Sequence, residues 1–515
     1  MKRLFVLVAM LAAAQDDVIK VATRLVQFNV IARDRKGPVA DLTKNDFTIL
    51  DHGKRREIAV FHMDSRKGHA VEELAALPPN VFTNKRPVEA NSTILLFDGV
   101  NTRYADQSYA RLQIIKFIER LQPGDRVAIY ALGRELQVIH DFSSDTASLI
   151  EAARALRVRI GAADELHSHT GTDAQLSAAT TGRFSVVFGE MLDNLAGRST
   201  ESGVAARIDK TELALISIAR YFGSVPGRKN LVWVSSGFPI TLGEKFDTRA
   251  RFDAKVESAS RALMDANVAV YPVDARGLMG SGYGADGVPP PGLTGGPVGY
   301  SEQVMMTLLA ERTGGKAYFN ANDLQGSIRR ALDDADVTYT LGFYLPEAEM
   351  DSKFHDTKIT VARKGVEVRA RGGYIAYGDP VKSERSREVA MKQVLAAPLD
   401  ATGLPVTVRL DRTPKGLNIT AMLDPHSLSF SPKDGQYVDG VDFVIAQQGT
   451  DGNLLKVESE LLSIVFSPER YKQIMQEDLQ ISRGMELMPG AKTIRVMFYD
   501  RNSGLVGSAR GPVLR

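Results

Sequence analysis

Between residue 93 and about residue 335 the chain alternates short apolar runs with segments of helical period, and no other feature narrows its fold as far. The runs at 93–97, 126–131, 136–141, 230–234, 268–273 and 316–319 read as strands. Between them, Leu112, Ile115 and Ile118, then Leu215, Ile218 and Phe222, then Phe252, Val256, Ala259 and Leu263 recur at the spacing of one helical face, and further helices are expected at 145–156, 302–312 and 324–335. Strand feeding helix feeding strand builds a mostly parallel sheet covered on both faces. Two segments interrupt the series: 159–207, rich in Ala, Ser, Thr and Gly, and 277–300, which contains GSGYGADGVPPPGLTGGP. Both leave the sheet where strands end, either as covers over that end or as disordered decoration.

The flanks read as β structure. In 18–61, Val26, Phe28, Val30 and Ala32 occupy alternate positions before the turn DRKGP, and 46–50, the turn at 51–54 and 57–61 form an expected hairpin. Residues 62–91, with Pro78 and Pro79, read as a linker. Strands return at 339–345, 357–363 and 366–377, followed by a charged linker at 379–392. A last block has strand patterns at 406–410, 417–422, 441–445, 461–466 and 493–499, the content of a second sandwich. The expected divisions are 15–90, 91–336, 337–378, 379–392 and 393–515, in keeping with about one domain per ~150 residues.

The opening MKRLFVLVAMLAAAQDD has Lys2 and Arg3, an apolar run and Ala12-Ala13-Ala14, the order of a secretory signal over residues 1–14. The alternatives are a buried first strand or a misplaced start. No later segment reaches the ~18 uninterrupted apolar residues of a membrane span, so the expectation is a mature chain without a span, exported to the periplasm or the extracellular space. Cysteine is absent, which excludes disulfides, thiol nucleophiles, lipid attachment through cysteine and cysteine-based zinc sites. Without Lys2 and Arg3 the chain has 62 basic and 62 acidic residues, from totals of 64 and 62. A balanced chain without a long basic run does not suit nucleic acid.

Other chemical motifs are thin. His167 and His169 lie two apart without cysteine support for zinc. Ser235-Ser236-Gly237 lacks the first glycine of a nucleophile elbow. The sequence TGGK at 313–316 precedes a strand instead of opening a helix, unlike a phosphate loop. Trp233 and Tyr271 sit inside apolar strands and read as core.

Several stretches carry a resemblance. LLFDGVNT, GDRVAIYALG, PGRKNLVWVSSGFP, VAVYPVDARGL and TGGKAYFNANDLQGSIRRALDDADVTYTLGFYLP make residues 93–335 similar to a von Willebrand factor type A (VWA) domain. With VADLTKNDFTILDHGKRREIAVF and RARGGYIAY, the chain resembles the acidobacterial VWA-related family of exported proteins over most of 18–377. The resemblance implies an α/β, doubly wound, mostly parallel sheet of Rossmann-like type, and no enzyme. In such a domain the first strand starts and the last helix ends opposite the site. The segments 18–61 and 339–377, each too short in strands to stand alone, are therefore expected to form one β-sandwich into which the VWA domain is inserted, with a C-terminal β-sandwich after it.

The resemblance also implies a metal-ion-dependent adhesion site, built from Asp-x-Ser-x-Ser after the first strand, a Thr from a later loop and an Asp before a Gly after the fourth strand. A hard cation such as Mg²⁺ is held there by oxygens, with an open position for a partner's carboxylate. Asp98 matches the first Asp and Thr102 the second Ser, whereas Val100 replaces the first Ser. Thr211, placed at the start of a helix, is the candidate loop Thr, and Ser236 stands where the second acid belongs. Asn101 and Asp274 are further oxygen donors for Mg²⁺ or another divalent cation. The competing expectation is that Asp98 caps backbone donors of the turn after its strand. The function expected is interaction with a protein partner through this degenerate site. The alternatives are a metal-assisted envelope hydrolase and a structural envelope protein with no ligand there.

Overall fold

The computed structural model describes residues 23–65, 77–85, 92–102, 104–156, 201–236 except 224 and 226, 246–276, 298–334 except 320–322, 336–376, and 384–513 except 415 and 451. The signal segment 1–14, most of 159–207 with its two histidines, and most of 277–300 lie outside them.

The central region contains β1 (Thr93–Asp98), α1 (Tyr104–Ile118), β2 (Val127–Leu132), β3 (Leu136–Ser143), α2 (Thr146–Ala155), α3 (Glu201–Tyr221), β4 (Lys229–Ser235), α4 (Phe246–Asp265), β5 (Val268–Asp274), α5 (Val298–Thr313) and α6 (Leu324–Asp333). The sheet order is β5-β4-β1-β2-β3, parallel except for β3 against β2. Every residue of β1, β2, β4 and β5 is buried, which explains why these strands are continuous apolar runs without alternation. Successive side chains still divide between the faces. Ile94 and Leu96 pack with Leu215 and Ile218 of α3, Val256 of α4 and Met306 of α5. Leu95 and Phe97 pack with Ile114 and Phe117 of α1, Leu149 of α2 and Ile328 of α6. The strand expected at 316–319 amounts to a single bridge, Val273 to Tyr318. Helix α3 begins ten residues before Thr211, which places Thr211 mid-helix instead of at a helix start. The small and polar residues of 201–207 disguised the first two turns.

The segments on either side of this domain in sequence pair with one another. Thr23–Asp34 runs antiparallel to Val337–Pro346, with Val26 opposite Phe343, Phe28 opposite Leu341 and Val30 opposite Tyr339. A facing sheet pairs Phe47–Asp51 with Phe354–Val361. Phe28, Phe47, Ile49, Tyr339, Leu341 and Phe343 enclose one core between the two sheets. The hairpin differs from expectation. Phe47–Asp51 returns as Lys54–Arg56, and Val60–Ser65 crosses to pair with Val337–Pro346. His52 at φ 47° and Gly53 at φ 77° form its two-residue turn, a left-handed pair suited to strand twist.

Two linkers prove to be structural. Within 62–91, Val81–Thr83 joins the sheet of the last domain beside Val406–Thr413. The amide of Asn84 donates to the carbonyls of Ala401 and Leu404 and its Oδ1 accepts from Val406 N–H. Three residues are too few to show a period, so this strand was invisible beside Pro78 and Pro79. The expected linker 379–392 is overrun by the helix Glu384–Ala396, whose Met391, Val394 and Leu395 pack on Val444, Ala446 and Met497. Its charged first turns gave it the look of a linker. The last domain also contains Ser431–Lys433, Leu479–Met485 and Val506–Pro512, strands that the sequence reading omitted. Its two sheets close on Val406, Val408, Ile419, Phe443, Val496 and Phe498.

Candidate functional site

In the order β5-β4-β1-β2-β3, the connection that leaves β1 goes one way to β2 and the connection that leaves β4 goes the other way to β5. The crevice outside the carboxyl ends of β1 and β4 is thus the topological switch point, where open α/β sheets bind ligands. Asp98 ends β1, and Ser235 ends β4.

The Asp98 carboxylate is fully buried and accepts from four groups. Oδ1 takes the backbone N–H of Asn101 at 3.0 Å. Oδ2 takes the Asn101 amide at 2.8 Å, the Trp233 indole N–H at 3.0 Å and the Ser235 hydroxyl at 3.0 Å. Burial pushes the Asp98 carboxyl above its usual range, and the donors from Asn101, Ser235 and Trp233 pull against that rise. The backbone bond from Asn101 is the capping of a turn by an aspartate at its first position. The Asn101 amide also donates to Thr211 Oγ1 at 2.8 Å, while the Thr211 hydroxyl donates to the Arg207 carbonyl one turn back. Asp98, Asn101 and Thr211 are therefore joined directly, across two elements far apart in sequence.

The other expected residues are placed differently. The Thr102 hydroxyl is buried without a hydrogen-bond partner among the described residues, as is Asn101 Oδ1. Gln107 of α1 holds the turn by donating to the Gly99 and Thr102 carbonyls. Ser236 donates to Asp106 at 3.3 Å. Asp274 lies beside Ser235 in strand register, and its carboxylate is clasped by Arg276, whose Nε and Nη2 reach it at 2.9 and 2.8 Å. Both Asp274 and Arg276 side chains are almost wholly buried.

The sequence reading missed four participants: Trp233, Ser235, Asp106 and Arg276. Trp233 was read as core, which it is, but a buried indole N–H ordinarily finds an acceptor. Asp106 in the first turn of α1 was detectable as an acid where a helix dipole favours one.

As a cation site this donor set is a poor fit. Octahedral Mg²⁺ needs free carboxylate oxygens. Here both oxygens of Asp98 are engaged and Asp274 is neutralised by Arg276. Of this set, Asn101 Oδ1 and Thr102 Oγ1 are the oxygens without a partner among the described residues, and both are uncharged.

No family model and no curated protein matches the chain. Among solved structures it is similar to a von Willebrand factor type A protein from Catenulispora acidiphila, at 11% identity over 88% of this chain and 72% of that one, with a TM-score of 0.25. The vWF domain of the type V pili tip protein Mfa5 from Porphyromonas gingivalis matches at 16% identity over 33% and 49%, with a TM-score of 0.16. BatB from Bacteroides thetaiotaomicron matches at 11% identity over 47% and 98%, with a TM-score of 0.25. Strand order and helices on both faces define the central region as a doubly wound α/β domain, with the Asp98 carboxylate at its switch point. The structures similar to the chain include VWA domain proteins.

Proposed function

We propose that this is an exported, non-enzymatic interaction protein that docks a protein partner on the strand-end face of its VWA-type domain, with Asp98 acting as an internal organiser of that face. The supporting observation is the engagement of both Asp98 oxygens by Asn101, Trp233 and Ser235. A carboxylate so occupied holds the turn 99–102 in one conformation and presents Val100 and Asn101, both half-buried, at the mouth of the crevice. Against the hydrolase alternative, Ser235 is wholly buried and Ser236 nearly so, which keeps either hydroxyl from the reach of a substrate. Export rests on the order of residues 1–14. Among the described residues no helix is long and apolar enough to cross a membrane.

A photo-cross-linking residue placed at Val100 in the native host tests the reading. A discrete protein adduct at Val100, with none from the same residue at Asp434 on a turn of the last domain, is expected. Equal labelling at both positions, or none at either, contradicts a partner-binding strand-end face.

A further inference from the structure

The first sandwich carries a second cluster of ligand-type side chains, unrelated to the switch point. Asp51 closes the strand Phe47–Asp51, His52 is the first residue of the hairpin turn, and His355 lies on the neighbouring strand Phe354–Val361. One ligand atom from each lies within 4.8 Å of the others. Asp51 and His355 are buried and His52 is exposed.

Three features of this cluster are those of a metal site. First, Asp51 is 1% exposed, and its buried Oδ1 accepts no hydrogen bond from the described residues. The other oxygen is fully engaged: Oδ2 accepts from Arg56 Nε at 2.9 Å, Arg56 Nη2 at 2.7 Å and the Tyr374 hydroxyl at 3.0 Å. Arg56 is itself paired with Glu349, so its charge is balanced without drawing on Oδ1. Second, the free Oδ1 faces Nδ1 of His355 at 3.4 Å. Ligands bonded to one tetrahedral Zn²⁺ at ~2.0–2.1 Å sit about 3.3 Å apart, so these two atoms already have the separation of a shared ion. Third, Nε2 of His355 lies 3.1 Å from Asp351 Oδ1. Nδ1 of His355 also lies 3.1 Å from the Tyr374 hydroxyl, a contact that an ion at Nδ1 displaces; with the ion bound, a carboxylate on the far nitrogen keeps the proton there and leaves the near nitrogen as a lone-pair donor, the outer arrangement typical of zinc ligands.

We propose that Asp51 Oδ1, His355 Nδ1 and a ring nitrogen of His52 bind a zinc-class divalent cation, with Asp351 fixing the tautomer of His355. Two imidazoles and one carboxylate suit Zn²⁺ better than Mg²⁺ or Ca²⁺. His52, at the exposed tip of the turn with its ring centroid 4.6 Å from that of His355, is the ligand that closes on the ion. The bound cation ties the hairpin tip to the strand Phe354–Val361 and so links the two chain segments that build this sandwich.

The test is calorimetric titration of the chelator-treated full chain with Zn²⁺, beside Co²⁺ absorption spectra and thermal melting. The expected result is one Zn²⁺ per chain, visible bands from four-coordinate Co²⁺ and a melting temperature raised by Zn²⁺. His52→Asn, which keeps a residue tolerant of positive φ, abolishes all three while melting as the wild type does without metal. Asp351→Asn weakens Zn²⁺ by about 10–100-fold. No Zn²⁺ uptake by the wild type means that a proton fills the gap between Asp51 and His355, and overturns the proposal. Uptake unchanged in both variants places the ion elsewhere and overturns it equally.

Discussion

The indole N–H of Trp233 donates to Asp98 Oδ2 at 3.0 Å, and Trp233 is the only tryptophan of the 515 residues. Emission from this single side chain therefore reports on the acid that organises the strand-end face. Asp98→Ala removes the acceptor that the Trp233, Ser235 and Asn101 donors share, and a hydrogen bond to a charged group is worth about 1.5–3 kcal/mol. We expect the variant to be destabilised by at least about 2 kcal/mol in denaturant titrations followed by Trp233 emission, with a shifted folded-state spectrum. A change within about 0.5 kcal/mol, as for ordinary surface substitutions, would show that the network does not organise the fold.

Gly315 follows α5 at the point where the chain turns back beside β5. A Cβ there would lie 1.8 Å from the Val270 carbonyl oxygen, and one at Gly314, where φ is 78°, would lie 2.7 Å from Arg371 N. The glycines of TGGK thus serve close backbone approach, not phosphate. Gly315→Ala should cost about 1–3 kcal/mol through overpacking, measured as a lower unfolding midpoint; wild-type stability would refute the close packing.

Asp439 is pushed up to about 7 by burial and by the adjacent Asp500 carboxylate. The folded chain then retains a proton that the unfolded chain releases above about pH 4. The unfolded state binds fewer protons between these values, so stability falls as pH rises from about 4 to about 7 and stays low above that. Asp439→Asn, which cannot ionise, should match the wild type near pH 4 and exceed it near pH 8. Equal differences at both pH values would contradict this assignment.

Arg495 is wholly buried and donates to the Val394 and Leu395 carbonyls at the end of the helix Glu384–Ala396. Arg495→Met fills much of the volume but leaves those carbonyls without their charged donor, a loss of about 1.5–3 kcal/mol. Hydrogen exchange should show that helix opening before the sheets of the last domain. Uniform protection across the domain would mean that Arg495 is not what holds the helix.

The sheet of the central domain was legible in the sequence because its strands are buried on both faces and its helices repeat at 3.6 residues. Val81–Thr83 was not, since three residues carry no period and their burial depends on Val406–Thr413, more than 300 positions away. Glu384–Ala396 was hidden by charge on its early turns, although Met391, Val394 and Leu395 already lay on one face. At the site, Asp98, Asn101 and Thr211 were identified as residues and the turn-capping bond to Asp98 was one of two expectations, but the bonds among their side chains were not foreseen. Whether an aspartate binds a cation or caps a turn depends on which donors the fold brings to it, and Trp233 and Ser235 arrive from a different strand. Arg276, two residues past Asp274, was the one neighbour whose effect could have been read from the spacing alone.

The account's central claim, that Asp98 is occupied by the protein's own donors, is tested most directly by calorimetric titration of the chain with Mg²⁺ and Mn²⁺, with Asp98→Ala beside it and Trp233 emission recorded throughout. The prediction is no cation uptake that depends on Asp98 and no change in wild-type emission. Saturable uptake by the wild type that perturbs Trp233 and disappears in Asp98→Ala would contradict it.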